Sequence, residues 1–137
     1  MLQVVDGVFY EGTGLNGRSS IRKVKIETGE VLQKRDVPAE HFGEGITVRG
    51  SELFELTWQT NAALVYDKAT FTPKRQYKYT GEGWGLTQDK TSFYMSDGSE
   101  FLRIYAWPAL VPAVALMSFV LGLNLLADSL REQSLRD

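Results

Sequence analysis

The chain has 137 residues, with 15 Lys plus Arg against 17 Asp plus Glu and a formal net charge of −2, a near balance that gives no reason to expect nucleic acid as a partner. It has no cysteine and one histidine, His41, which excludes disulfides, thiolate nucleophiles and Cys- or His-cluster metal sites and leaves a Ser-His-Asp triad only that one ring. With 43% hydrophobic residues it is too apolar for a disordered chain, and its length suits one ordinary domain.

Met1–Val5 has neither the basic region nor the apolar stretch of a signal peptide and reads as the middle of a strand-and-turn pattern. Val8–Glu11 follows an Asp6-Gly7 turn. Ser20–Ile26 alternates, with one slip, Ile21, Val24 and Ile26 against Arg22, Lys23 and Lys25. After a turn at Glu27–Glu30, Val31–Lys34 starts the next strand, and further runs follow at Leu53–Trp58, Ala63–Tyr66, Lys74–Tyr79, Ser92–Ser96 and Phe101–Tyr105. Aromatic and β-branched residues fill these runs, and no helical period of useful length precedes residue 106.

From Ala106 to Ala127 the chain runs 22 residues without a charge, 17 of them apolar. As a helix rising about 1.5 Å per residue it would span roughly 33 Å, enough for a hydrocarbon core of about 30 Å. Trp107 stands at one end as an interfacial aromatic would, and Asp128, Arg131 and Glu132 close the other. The run is expected to be a transmembrane helix and the chain membrane-associated; a buried helix of a soluble core is the alternative. Arg103 on one side and Arg131 and Arg136 on the other are too few to set an orientation.

The part before residue 106 repeats itself. Gly43–Thr47 is echoed by Gly83–Thr87, a shift of 40. Leu53–Leu56 corresponds to Ser92–Met95, and Leu64–Tyr66 to Arg103–Tyr105. A period near 40 with about four strands per period is that of propeller blades, with an ordinary β-sandwich as the alternative.

Phe42-Gly43-Glu44-Gly45 places a carboxylate between two glycines, and Gly83-Trp84-Gly85 does the same for an indole. Glycine there permits close backbone approach. In a propeller the 40-residue echo puts Glu44 and Trp84 on one rim, and Trp58 could reach it from the next strand. A carboxyl walled by two tryptophans would have a raised pKa, which suits a general acid/base. Taken singly, a glutamate between glycines is usually a surface turn and a tryptophan usually core, and these are the alternative readings of Glu44, Trp58 and Trp84. His41 reads as a surface residue without a partner, and Ser96–Ser99 as a tight turn, since it lacks the spacing of a nucleophile or calcium loop.

Tyr10–Ser20, Phe42–Thr47, Leu56–Trp58, Gly83–Thr87 and Ser96–Gly98 occur in an order and spacing that resemble the plant and bacterial type of glutaminyl-peptide cyclotransferase, over residues 6–104. The resemblance implies a five-bladed β-propeller and an enzyme that converts the N-terminal glutamine of a peptide or protein to pyroglutamate with release of ammonia, using no cofactor or metal. By motif, Glu44 matches the family's catalytic glutamate, and Trp58 and Trp84 match tryptophans that line its substrate pocket. The family's Phe-Thr-Gln-Gly segment ahead of the first string has no counterpart here, nor has its later half, with an asparagine, another tryptophan and a lysine. The expectation is therefore a mainly β chain: an incomplete propeller of about two and a half blades over 1–105, then a transmembrane helix and short polar tail over 106–137. Such an arc would have little cyclase activity alone. A non-catalytic, membrane-anchored fragment or assembly module is the alternative. Trp107–Pro112 through Asn124–Glu132 resembles the C-terminus of dipeptide and oligopeptide ABC-transporter permeases, so that the chain reads as a join between two unlike parts near residues 100–106.

Overall fold

The structure is a computed structural model that describes residues 1–106. These residues are all β, in eleven strands: β1 (Leu2–Val5), β2 (Val8–Thr13), β3 (Ser20–Lys25), β4 (Val31–Asp36), β5 (Gly43–Arg49), β6 (Glu52–Thr57), β7 (Ala62–Asp67), β8 (Pro73–Lys78), β9 (Leu86–Gln88), β10 (Ser92–Ser96) and β11 (Leu102–Ala106). They form three antiparallel meanders, β1-β2-β3-β4, β5-β6-β7-β8 and β9-β10-β11. Each strand pairs with the next in sequence, so short hairpins suffice. In the first, Val5 pairs with Val8 across Asp6 (φ 51) and Gly7 (φ 76), the Asp-Gly turn whose left-handed residues match the twist of the strands.

The three echoes in the sequence link strands of equal rank: β5 with β9, β6 with β10, and β7 with β11. β5 lies against β1 and β2 on one side and against β9 on the other. The first strands of successive sheets are thus neighbours, a propeller-like arrangement rather than the two facing sheets of a sandwich. The outermost strands of the first two sheets, β4 and β8, carry Val31-Leu32-Gln33-Lys34-Arg35-Asp36 and Pro73-Lys74-Arg75-Gln76-Tyr77-Lys78 and are mostly exposed.

The middle sheet is covered on both faces, which explains its nearly unbroken apolar strands. Along β6 and β7 the side chains alternate between two cores. Leu53, Ala62, Leu64 and Tyr66 join Ile46, Val48 and Phe71 against Tyr10 and Ile21 of the first sheet and Val37 just after it. Phe54, Leu56, Ala63, Val65 and Tyr79 pack against Phe93, Met95 and Tyr105 of the third. The Phe54 and Phe93 rings meet at 4.8 Å between centroids. Burying each such side chain contributes about 1.5–3 kcal/mol.

Two strands, β5 and β9, had no clear sequence signal, and β1 was marked only as part of a strand-and-turn pattern; all three are the first of their sheets. β5 contains two glycines and a bulge, and β9 is only three residues long. Ile26 and Trp58 fall just outside the strands expected to hold them, and Ala106 ends β11 rather than opening an apolar helix. Apart from Ala106, the run to Ala127 expected to cross a membrane, and the rest of 106–137, lie outside the described residues. No helix among the described residues is long and apolar enough to cross a membrane.

Candidate active site

Glu44 stands on a β-bulge. Gly43 pairs with Thr57 and Ile46 with Glu55, so Glu44 and Gly45 together oppose Leu56. A bulge of this kind bends the strand and re-aims a side chain. Packing explains the flanking glycines. A Cβ on Gly45 would lie 2.5 Å from the Trp84 carbonyl oxygen and 2.7 Å from the Leu86 nitrogen; one on Gly43 would lie 2.5 Å from Glu55 Oε1 and 2.9 Å from the Thr13 carbonyl oxygen. Glu44 is therefore carried where β5 meets its neighbours backbone to backbone.

Trp58 follows β6. Its backbone N–H donates to the Phe42 carbonyl at 2.9 Å, and its own carbonyl accepts from Gly83 N–H at 3.1 Å. The Phe42 ring meets the indole edge-on at 5.5 Å. Trp84 precedes β9, and its N–H donates to the Ser96 carbonyl at 2.9 Å. Its ring lies over Gly98, where a Cβ would come within 2.7 Å of the indole. Trp58 is half-buried and Trp84 is 46% exposed, so neither is the core residue that each could have been alone.

The structure brings Glu44, Trp58 and Trp84 to one cleft of about 550 Å³, whose other lining residues are Met1, Phe42, Gly85 and Ser96. Burial raises the Glu44 carboxyl above the ordinary carboxylate range, with the Met1 α-ammonium opposing. A carboxyl so placed holds a proton more readily than one in water, as general acid/base work near neutral pH needs.

Sequence reasoning missed Glu82. Both indoles donate to its Oε2, Trp58 Nε1 at 2.8 Å and Trp84 Nε1 at 2.8 Å, and Gln59 Nε2 reaches its Oε1 at 3.3 Å. The bonds from Trp84, Trp58 and Gln59 hold the Glu82 carboxyl below its usual range. Glu55 was missed too. It is fully buried, and neither carboxyl oxygen has a partner of hydrogen-bonding geometry. Burial pushes it up to about 8, against the opposing influence of Tyr66.

His41 requires a correction. It is buried, and its Nδ1 lies 2.6 Å from Thr60 Oγ1, which in turn donates to Thr57 Oγ1 at 2.8 Å. Its partner stands 19 residues along the chain, so no local pattern announced it. At Ser96–Ser99 the chain makes the expected tight turn, with Asp97 Oδ1 accepting from Ser99 N–H at 3.1 Å and Gly98 at φ 81. Ser96 also lines the cleft, and its Oγ accepts from Gly85 N–H at 2.8 Å. Among the described residues no three His, Asp or Glu are grouped to hold a metal ion.

Three propeller-like meanders with a carboxyl and two indoles at one cleft define an all-β fold over the described residues, with that cleft beside its first strands. The chain belongs to the glutamine cyclotransferase family, whose family model matches residues 1–110. It is 38% identical over 105 residues to the glutaminyl-peptide cyclotransferase of Arabidopsis thaliana, a match covering 74% of this chain and 32% of that protein. The crystal structure of Myxococcus xanthus glutaminyl cyclase is similar at a TM-score of 0.66 and 26% identity, over 77% of this chain and 45% of the other. BamB from Moraxella catarrhalis is similar at a TM-score of 0.61 and 10% identity, over 77% of this chain and 30% of BamB, a likeness of fold alone. The chain thus spans about a third of its plant relative and less than half of its bacterial one.

Proposed function

We propose that the cleft carries glutaminyl-peptide cyclisation, with Glu44 as the proton-transferring residue and Trp58 and Trp84 as walls of the substrate site. The observation that carries this reading is the Glu44 carboxyl, raised by burial and lining one cleft with two indoles, in a chain of this family. The substrate's neutral α-amine attacks its own γ-carboxamide carbon, forming the C–N bond of a five-membered lactam. The Glu44 carboxylate takes the proton released from the amine and returns it to the carboxamide nitrogen, which leaves as ammonia. Because the attack is intramolecular, holding the side chain folded supplies much of the acceleration. The indoles would pack the glutamine methylenes and displace water from the reacting atoms. No cofactor enters this scheme.

The described sheets are read as an arc of a five-bladed propeller, two blades of four strands and one of three. They supply one side of the pocket, and ammonia release from a peptide with N-terminal glutamine is expected to be slow. Glu44→Gln is expected to abolish that release while peptide binding persists. Release unchanged by Glu44→Gln would remove Glu44 from the chemistry.

A second reading is favoured by apolar side chains exposed on the first and last sheets: Leu2 and Val4 on β1, and Phe101, Leu102 and Ile104 at β11. In that reading the arc is a non-catalytic assembly module that pairs through these surfaces, with residues 106–127 attaching it to a membrane.

A further inference from the structure

Glu82 does not line the cleft, yet it touches both of its indole walls. Trp58 comes from the end of β6 in the second sheet, and Trp84 from the approach to β9 in the third. One oxygen, Oε2, accepts from both indole N–H groups at 2.8 Å. An indole has a single donor and no acceptor, so fixing Nε1 fixes which way the ring plane faces. A carboxylate can accept several such bonds, and charge makes them stronger than neutral ones.

The backbone on either side of Glu82 is also held. Gly83 N–H donates to the Trp58 carbonyl at 3.1 Å, and a Cβ on Gly83 would collide with the Tyr79 hydroxyl. Gly81 adopts φ 83. Glu82 thus has little freedom to leave the indoles. The other charged group that acts on it is Asp97, whose Oδ2 accepts from Arg103 Nε at 2.6 Å.

We propose that Glu82 is the positioning residue of the cleft, its single carboxylate oxygen setting the orientation and separation of the Trp58 and Trp84 walls. A side chain stacked between the walls meets them at a width and tilt that Glu82 determines. The effect on substrate rests on the cyclisation reading; the coupling of the indoles does not.

The test uses the full chain, labelled with nitrogen-15, with indole signals assigned by substituting each tryptophan in turn. Glu82→Ala is expected to accelerate solvent exchange of both the Trp58 and Trp84 indole protons by roughly tenfold, as loss of a charge-assisted bond would. Glu82→Gln, which keeps an acceptor in place, is expected to restore part of the protection of both. Exchange unchanged, or changed at one indole alone, overturns the proposal. With an N-terminal-glutamine peptide, Glu82→Ala is expected to raise KM by roughly tenfold with little change in kcat, and Glu82→Gln to raise it less. A fall in kcat at constant KM would instead make Glu82 part of the chemistry and overturn the positioning role. If the unsubstituted chain neither binds nor turns over the peptide while both indoles still respond to Glu82→Ala, the cyclisation reading fails and the coupling stands.

Discussion

Glu55 and Glu44 are both carboxyls with raised pKa, but their surroundings separate their roles. Glu44 lines the cleft, where a proton can reach it. Glu55 lies between the first two sheets, beside Gly43 and Gly12, with no access to water. The fold therefore keeps Glu55 protonated, while the unfolded chain ionises it at an ordinary carboxylate value. Below about 4.5 both states are protonated and Glu55 imposes no pH dependence; from there up to about 8 the unfolded state loses its proton first, and stability falls as pH rises. Above the folded value both are ionised and the loss levels off. Glu55→Gln removes the ionisable group at nearly equal volume. It is expected to reduce that slope, and so to raise stability at pH 8 relative to pH 5 by up to about 1.4 kcal/mol per pH unit, because the unfolded chain no longer gains by ionising there. Denaturant titrations of both proteins at pH 5 and pH 8 measure it. An identical pH slope in the two would show that Glu55 is not the buried acid responsible.

At the scale of the element, β5 decides where the chemistry can be. Its pairing skips at Glu44 and Gly45, and Gly45 meets the backbone of β9 with no room for a side chain. Gly45→Ala must push β9 away, because the atoms it would strike belong to backbone rather than to a mobile side chain. Overpacking of this kind costs about 1–3 kcal/mol. The same displacement would move Trp84, which leads directly into β9. We expect Gly45→Ala to lower the unfolding midpoint and to shift tryptophan fluorescence of the folded state. A fully native spectrum with unchanged stability would mean that β5 and β9 are not in backbone contact. The alternation that made β3 visible in the sequence, and the apolar runs that marked β6 and β7, both fail at β5 for the same reason that it is useful. A bulge breaks the two-residue period, and glycines that permit close approach remove the side chains from which a period is read.

Across the whole molecule, cover is unequal. The middle sheet is packed on both faces, whereas β1 exposes Leu2 and Val4 and the end of the third sheet exposes Phe101, Leu102 and Ile104. These residues lie at the two ends of the row of sheets, in a chain that spans about a third of its plant relative. Apolar surface left without a neighbouring sheet favours association. If the arc is an assembly module, the mass measured in detergent is expected to be that of a defined oligomer, and Val4→Lys with Ile104→Lys to reduce it to the monomer. Polydisperse aggregate would count against a built interface and for an arc whose faces are simply uncovered.

Much of this protein was determined by local pattern. Apolar and β-branched runs set eight of the eleven strands among the described residues, and the 40-residue echo matched strands of equal rank, because each meander is built from neighbours in sequence and needs only short-range information. Glu44, Trp58 and Trp84 could be named from their motifs. Tertiary structure alone decided the rest, since it depends on contacts between sheets. His41 became buried through Thr60, 19 residues away, and Glu55 lost its water because two separate sheets close over it. Glu82 acquired its place between two indoles only when β6 and β9 brought their ends together. A polar residue carries no local mark of burial or partnership; both arise from what the remote chain places beside it, where desolvation and a hydrogen bond contend for the same few kcal/mol.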